Sequence, residues 1–182
     1  MKILYLDCSM GAAGDMLAAA LLELFPDRDK IISELNSLGI PGVQFSKEES
    51  IKCGITGTHM TISVNGEEEE SHDIHDHGHH DEHGHSHHHH VHDEHDHDHK
   101  EHSHHHHHSS LQDIEHIVHG LAIPEKIKED IMAVYQLIAQ AESHAHGVPV
   151  EEIHFHEVGT MDAVSDIAAV CILMDKLSPD QV

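Results

Sequence analysis

The sequence predicts an α+β fold interrupted by a disordered insert. Three observations predict it. Apolar β-favouring runs and Ala/Leu-rich helical runs share the first third of the chain. A histidine-rich stretch with almost nothing to bury fills the middle. Helical periodicity then dominates the last third. The organisation that follows is an α/β portion over residues 1–66, an insert over residues 67–110, and a helical portion over residues 111–182 that completes the same domain.

Lys2 to Leu6 (KILYL) reads as a buried strand, followed by a glycine-bearing turn, DCSMGAAGDM, and a helix, MLAAALLEL. Gly11 and Gly14 permit close backbone approach there. That suits an anion at a helix N-terminus or, equally, tight packing of the helix. The turn lacks the ending of a Walker loop. Asp7 at the strand end and Asp15 in the first helical turn would share one rim, open to a metal or a cationic substrate. Asp15 alone could simply complement the helix dipole. Cys8 is a candidate thiolate ligand, although a small buried cysteine is the commoner outcome.

Asp27 to Leu38 reads as a second helix stopped by Gly39. Val43 to Val64 reads as an antiparallel hairpin, with Gly54 and Gly57 marking its turn and Met60, Ile62 and Val64 on one face. His59 falls on the opposite face and is expected to be solvated. After the insert, Leu111, Ile114, Ile117, Val118 and Leu121 share a helical face. Pro124 opens a further helix whose apolar residues Ile127, Ile131, Val134 and Ile138 run towards Gly147. The closing segment, EEIHFHEVGTMDAVSDI, places His154 and His156 on one face of an extended backbone. Glu157 follows, then a helix capped by Thr160 or Asp162 and ending near Leu177. Asp162 and Asp166 are neighbours on that helix. Two imidazoles and several carboxylates in so short a stretch suit a metal site, or acid/base groups around a polar substrate.

The insert runs HDIHDHGHHDEHGHSHHHHVHDEHDHDHKEHSHHHHH. Seven of the 28 histidines lie elsewhere (His59, His116, His119, His144, His146, His154, His156), which leaves 21 between His72 and His108. A stretch this polar cannot offset the entropy of ordering. Imidazole suits borderline metals such as nickel, zinc and copper, and ligands are plentiful in its first half: His75, His77, His79, His80, His83, His85, His87, His88, His89 and His90. A metal-collecting loop is the direct reading. A solvated spacer, an expression tag and a pH-sensing segment are the plainer ones. A tag is disfavoured because the stretch is internal and laced with Asp and Glu.

Composition narrows the classes. Nine basic residues against 34 acidic ones, a formal charge of -25, argue against a nucleic-acid partner and suit an attraction for cations. With 3% aromatic residues and no Trp, the core is expected to be aliphatic. Cys8, Cys53 and Cys171 form no CxxC pair or disulfide framework, which fits a cytoplasmic protein. The N-terminal apolar run is too short for a signal peptide, and no stretch reaches membrane-spanning length.

The segments DCSMGAAGDM, AESHAHG and HFHEVGTMDAVSDI, in this order around a histidine-rich insert, resemble the LarC family of nickel-insertion proteins. The resemblance covers essentially the whole chain and corresponds to the N-terminal part of the family, whose typical members are longer. It implies a nickel chelatase of the lyase class. Such an enzyme places Ni(II) in pyridinium-3,5-bisthiocarboxylic acid mononucleotide, using CTP and Mn(II) or Mg(II), to make the nickel-pincer nucleotide cofactor of lactate racemase. The nucleotide region is assigned by the resemblance to the C-terminal part. The chain's partners would then be nickel, the mononucleotide, that C-terminal part and lactate racemase; a homo-oligomer stays open. Both flanking segments become site elements. His154, His156 and Glu157 are the expected relay, with Asp162 and Asp166 as secondary candidates; Asp7, Cys8, Gly11, Gly14 and Asp15 are the expected cofactor-binding element, where Asp7 and Asp15 would orient the substrate or a divalent ion. A nickel store or metallochaperone without catalysis is the alternative.

Overall fold

The computed structural model describes residues 1–9, 11–68, 109–155 and 157–182, with Glu157 by its backbone alone. Among these residues the architecture is α+β, with five α-helices and small antiparallel sheets. The chain divides into two units. One joins Met1–Glu69 to His106–Val182; the other, Glu70–His105, lies outside the described residues, and so does the histidine stretch.

The hairpin forms as its alternation predicts. β1 (Val43–Lys52) pairs antiparallel with β2 (Ile55–Val64), from Val43 opposite Val64 to Lys52 opposite Ile55. The turn is tighter than expected. Cys53 and Gly54 carry it with positive φ angles of 53° and 78°, the signature of a two-residue hairpin turn. Gly57 belongs to β2 instead, opposite Ser50. A second turn at Asn65 and Gly66 returns the chain as β3 (Glu67–Glu68), which adds to β2. The inner face carries Phe45, Met60 and Ile62, all buried; His59 is exposed beside Glu48 at 3.3 Å.

α1 (Gly14–Leu22) buries Ala18, Ala19, Leu21 and Leu22 against this sheet and against α5 (Met161–Leu177). α2 (Arg28–Asn36) starts at Asp27, whose side chain accepts from the Lys30 N–H. At its far end the Asn36 amide clamps β1: Nδ2 donates to the Phe45 carbonyl at 2.9 Å, and Oδ1 accepts from the Phe45 N–H at 2.7 Å. α3 (Leu111–Gly120) and α4 (Glu125–His146) pack together through Ile114, Val118, Ile127 and Ile131. The buried stripe of α4 continues through Tyr135 and Ala139, while Val134 and Ile138 are half-buried at its side. A strict repeat of four residues keeps Ile127, Ile131, Tyr135 and Ala139 in line. Gly147 ends α4 in the left-handed conformation, φ 69°.

The core is mostly aliphatic, as the composition implies, yet its three largest fully buried side chains are Tyr135, Phe45 and Phe155. The N-terminal run departs from expectation. Lys2 to Leu6 is not a buried strand. Ile3 is 58% exposed and Tyr5 83% exposed, and a single parallel bridge joins Ile3 to Gln181. Leu4 alone of this run packs on the core. The apolar composition is that of a buried strand, but among the described residues no element covers its outer face. No helix among the described residues is long and apolar enough to cross a membrane.

Candidate functional site

The two flanking segments meet where α1 starts. Gly14 opens that helix against Asp166 of α5, and the approach is so close that a Cβ at residue 14 would lie 2.5 Å from Asp166 Oδ2. Glycine is thus required there by packing between two helices; no bound anion is needed to explain it. Gly11 serves a different purpose. Its φ is 89°, and its N–H donates to the Cys8 carbonyl at 3.0 Å, so it closes the turn in a conformation that other residues resist.

This contact assembles carboxylates that are far apart in sequence. Asp15 sits in the first turn of α1, and Asp162 and Asp166 in the first turns of α5. Asp166 is half-buried, and its Oδ1 is a buried atom with no hydrogen-bond partner. Burial pushes its carboxyl up to about 7; the negative charges of Asp162 and Asp15 push the same way, and the Asp15 N–H partly opposes them. Asp7 takes another role. It is exposed and accepts from the Ser9 N–H at 3.0 Å, and its hydrogen bonds with Ser9 hold the carboxyl below the usual range. Cys8 is exposed rather than buried, a free thiol on the same loop.

The second half of the site is a short sheet. β4 (Ser109–Ser110) pairs antiparallel with β5 (His154–Phe155), with Ser109 opposite Phe155 and Ser110 opposite His154. The strand is too short to hold itself and depends on its anchors. Phe155 is 1% exposed, with its ring 5.7 Å from that of Tyr135. The Tyr135 hydroxyl donates to the Val158 carbonyl at 3.2 Å, and Ser109 Oγ donates to the Gly159 carbonyl at 2.9 Å. A Cβ at Gly159 would lie 2.8 Å from the Phe155 Cβ. With Phe155 inward, alternation leaves His154 exposed at the surface. His156 lies outside the described residues, as do the ten insert histidines from His75 to His90; the side chain of Glu157 is likewise undescribed. Thr160, rather than Asp162, caps α5 by accepting from the Ala163 N–H at 3.3 Å.

Several supporting residues escape a motif search. Ser110 and Asp113 form a reciprocal capping box at the start of α3. The S-x-x-D spacing was available in sequence, yet both serines read simply as the close of the insert. The Ser110 hydrogen bonds lower the Asp113 carboxyl, and the nearby imidazoles of His154 and His116 add to the effect. Tyr135 carried the same apolar spacing as Ile127 and Ile131. Nothing in sequence indicated that its hydroxyl would brace the HFHEVG segment.

The chain therefore presents an acidic patch and an exposed imidazole on an α+β body, with a histidine-rich segment entering at β4. Residues 4–182 match the model of the nickel insertion protein family, and the chain belongs to that family. Curated relatives agree. It is 40% identical over 183 residues to the pyridinium-3,5-bisthiocarboxylic acid mononucleotide nickel insertion protein of Clostridium acetobutylicum, a match covering 100% of this chain and 42% of that one. Proteins of the same name from Alkaliphilus metalliredigens and Lactiplantibacillus plantarum are each 34% identical, with 98% and 100% of this chain and 38% and 39% of theirs covered. The chain thus spans about two-fifths of the length of these relatives. No solved structure matches it.

Proposed function

We propose that this chain forms the nickel-receiving part of an enzyme that inserts Ni(II) into pyridinium-3,5-bisthiocarboxylic acid mononucleotide, yielding the nickel-pincer nucleotide used by lactate racemase. The observation that carries the reading is the pairing of β4 with β5. The histidine stretch ends at His108, and the next two residues hydrogen-bond along Phe155 and His154. Whatever the insert collects is tethered beside the HFHEVG segment, so its effective concentration there is high.

Nickel is the substrate in this reaction, and it must be released as readily as it is bound. Many equivalent imidazoles hold a borderline ion exchangeably; the sulfur ligands of the organic substrate then compete for it. His154, His156 and Glu157 take the ion from the insert. Asp15, Asp162 and Asp166 form a negative rim that draws it inward, and Asp166 gives up its proton as the cation arrives. Asp7, Cys8, Gly11 and Gly14 border the face open to the mononucleotide.

CTP and Mn(II) or Mg(II) belong, on this reading, to the remainder of the protein. Among the described residues no group of three His, Cys, Asp or Glu side chains is disposed to enclose a metal ion. Three free cysteines accord with a cytoplasmic setting.

Reconstitution tests the reading. Thiolated mononucleotide, nickel, CTP and manganese are combined with this chain, with and without the remainder of the protein, and the nickel-pincer product is scored. Product that depends on this chain supports the proposal. If the chain binds nickel but never accelerates product formation, it is a nickel store or metallochaperone and the proposal fails.

A further inference from the structure

KILYL is apolar at Ile3, Leu4, Tyr5 and Leu6, the pattern of a strand covered on both faces, as in parallel sheets. Among the described residues the structure covers only one. The segment is held extended along Asp180 and Gln181. The Leu4 N–H donates to the Gln181 carbonyl at 2.9 Å, the Lys2 carbonyl accepts from the Asp180 N–H at 2.7 Å, and the Ile3–Gln181 bridge is parallel. The Lys2 ammonium also reaches the Leu177 carbonyl. These bonds use the backbone groups of Lys2 and Leu4, so those of Ile3 and Tyr5 point to the opposite edge. Leu4 packs inward; Ile3 and Tyr5 stand outward at 58% and 83% exposure.

We propose that Lys2–Leu6 is a docking strand for the part of the protein that the relatives carry outside the matched stretch. That part adds a parallel strand along the Ile3/Tyr5 edge and an apolar cover over their side chains. More than half of each relative's length lies outside the match, with 38–42% of it covered by this chain, so the occupant is long enough to supply both strand and cover. A second copy of this chain is the weaker occupant, because each copy brings a formal charge of -25 and copies repel. The proposal is independent of the nickel reading.

Hydrogen exchange followed by mass spectrometry tests it, comparing this chain alone with the full-length Clostridium acetobutylicum relative over the aligned N-terminal strand. The expected result is fast exchange at Ile3 and Tyr5 in this chain and exchange slower by about 100-fold or more at the aligned amides of the relative. Equally fast exchange in both overturns the proposal. So does protection in this chain that rises with its concentration, which would assign the surface to a second copy. The Ile3→Ser/Tyr5→Ser double variant of this chain adds a check on folding. It should melt within about 2 °C of the parent, because no packed side chain is lost. A large fall in melting temperature shows that the chain already covers this face itself, and sinks the idea.

Discussion

Two short apolar segments of this protein meet opposite fates. Ile3 to Tyr5 and His154 to Phe155 are both extended, and each touches the rest of the chain through a partner strand only a few residues long. Yet Tyr5 is 83% exposed and Phe155 is 1% exposed. The difference lies in what surrounds them. Phe155 is enclosed by Tyr135, Ser109 and Gly159, each fixed by its own helix or hydrogen bond. Tyr5 has a backbone bridge beside it and no such enclosure among the described residues. Burial is a property of supplied neighbours, and local composition does not report the supply.

Substitution should expose this contrast. Phe155→Ala removes a fully enclosed ring and is expected to cost about 3–5 kcal/mol of unfolding free energy in urea titration. Tyr5→Ala should fall within about 0.5 kcal/mol of the parent. Comparable losses at both positions would erase the distinction between the two segments.

The junction of α1 with α5 comes next in size. Gly14→Ala drives a methyl group onto the Asp166 carboxylate and should cost about 1–3 kcal/mol. Adding Asp166→Gly removes the carboxylate together with the Asp166 Cβ, which would itself lie 2.6 Å from the new methyl group, and should recover part of that loss, a coupling that a double-mutant cycle reads directly. Simple additivity would mean that the two residues do not meet.

Asp166 also carries a pH signature. Its carboxyl is raised from 3.8 to about 7 in the folded protein, so folding takes up a proton between those values. The neutral acid is tolerated, and stability falls as pH rises from about 4 through 7. Asp166→Asn should therefore raise the melting temperature at pH 8 more than at pH 5. A cation at the acidic rim would favour the ionised form, so nickel binding near pH 6 should release a proton from the parent and less from the variant. A further, smaller loss than that at Phe155 is expected for Tyr135→Phe. It removes the hydroxyl bonded to the Val158 carbonyl and should cost about 1 kcal/mol.

The helices and the hairpin were legible because their periodicities repeat over many residues. α4 and α5 end where expected, α2 stops at Asn36, two residues short of the expected Leu38, and Met60 and Ile62 face inward as alternation requires. The flanking segments stand out in sequence by their imidazoles and carboxylates. Their meeting point does not, because Gly14 and Asp166 are brought together only by helix packing. The β4–β5 pair was invisible for a different reason: two residues carry no period to detect. Lys2–Leu6 was misread because a composition suited to a buried strand says nothing about whether the covering layer belongs to the same stretch of chain.

The central claim is that the histidine insert feeds nickel to the flanking segments. The deciding measurement is nickel insertion, in the presence of the remainder of the protein, at scarce and at ample nickel. It compares deletion of residues 72–108 with the His154→Ala/His156→Ala variant. Deletion should slow product formation when nickel is scarce and leave it near normal when nickel is ample, whereas the double variant should abolish it at both. A double variant that inserts nickel normally, or a deletion that abolishes insertion even at ample nickel, would contradict the account.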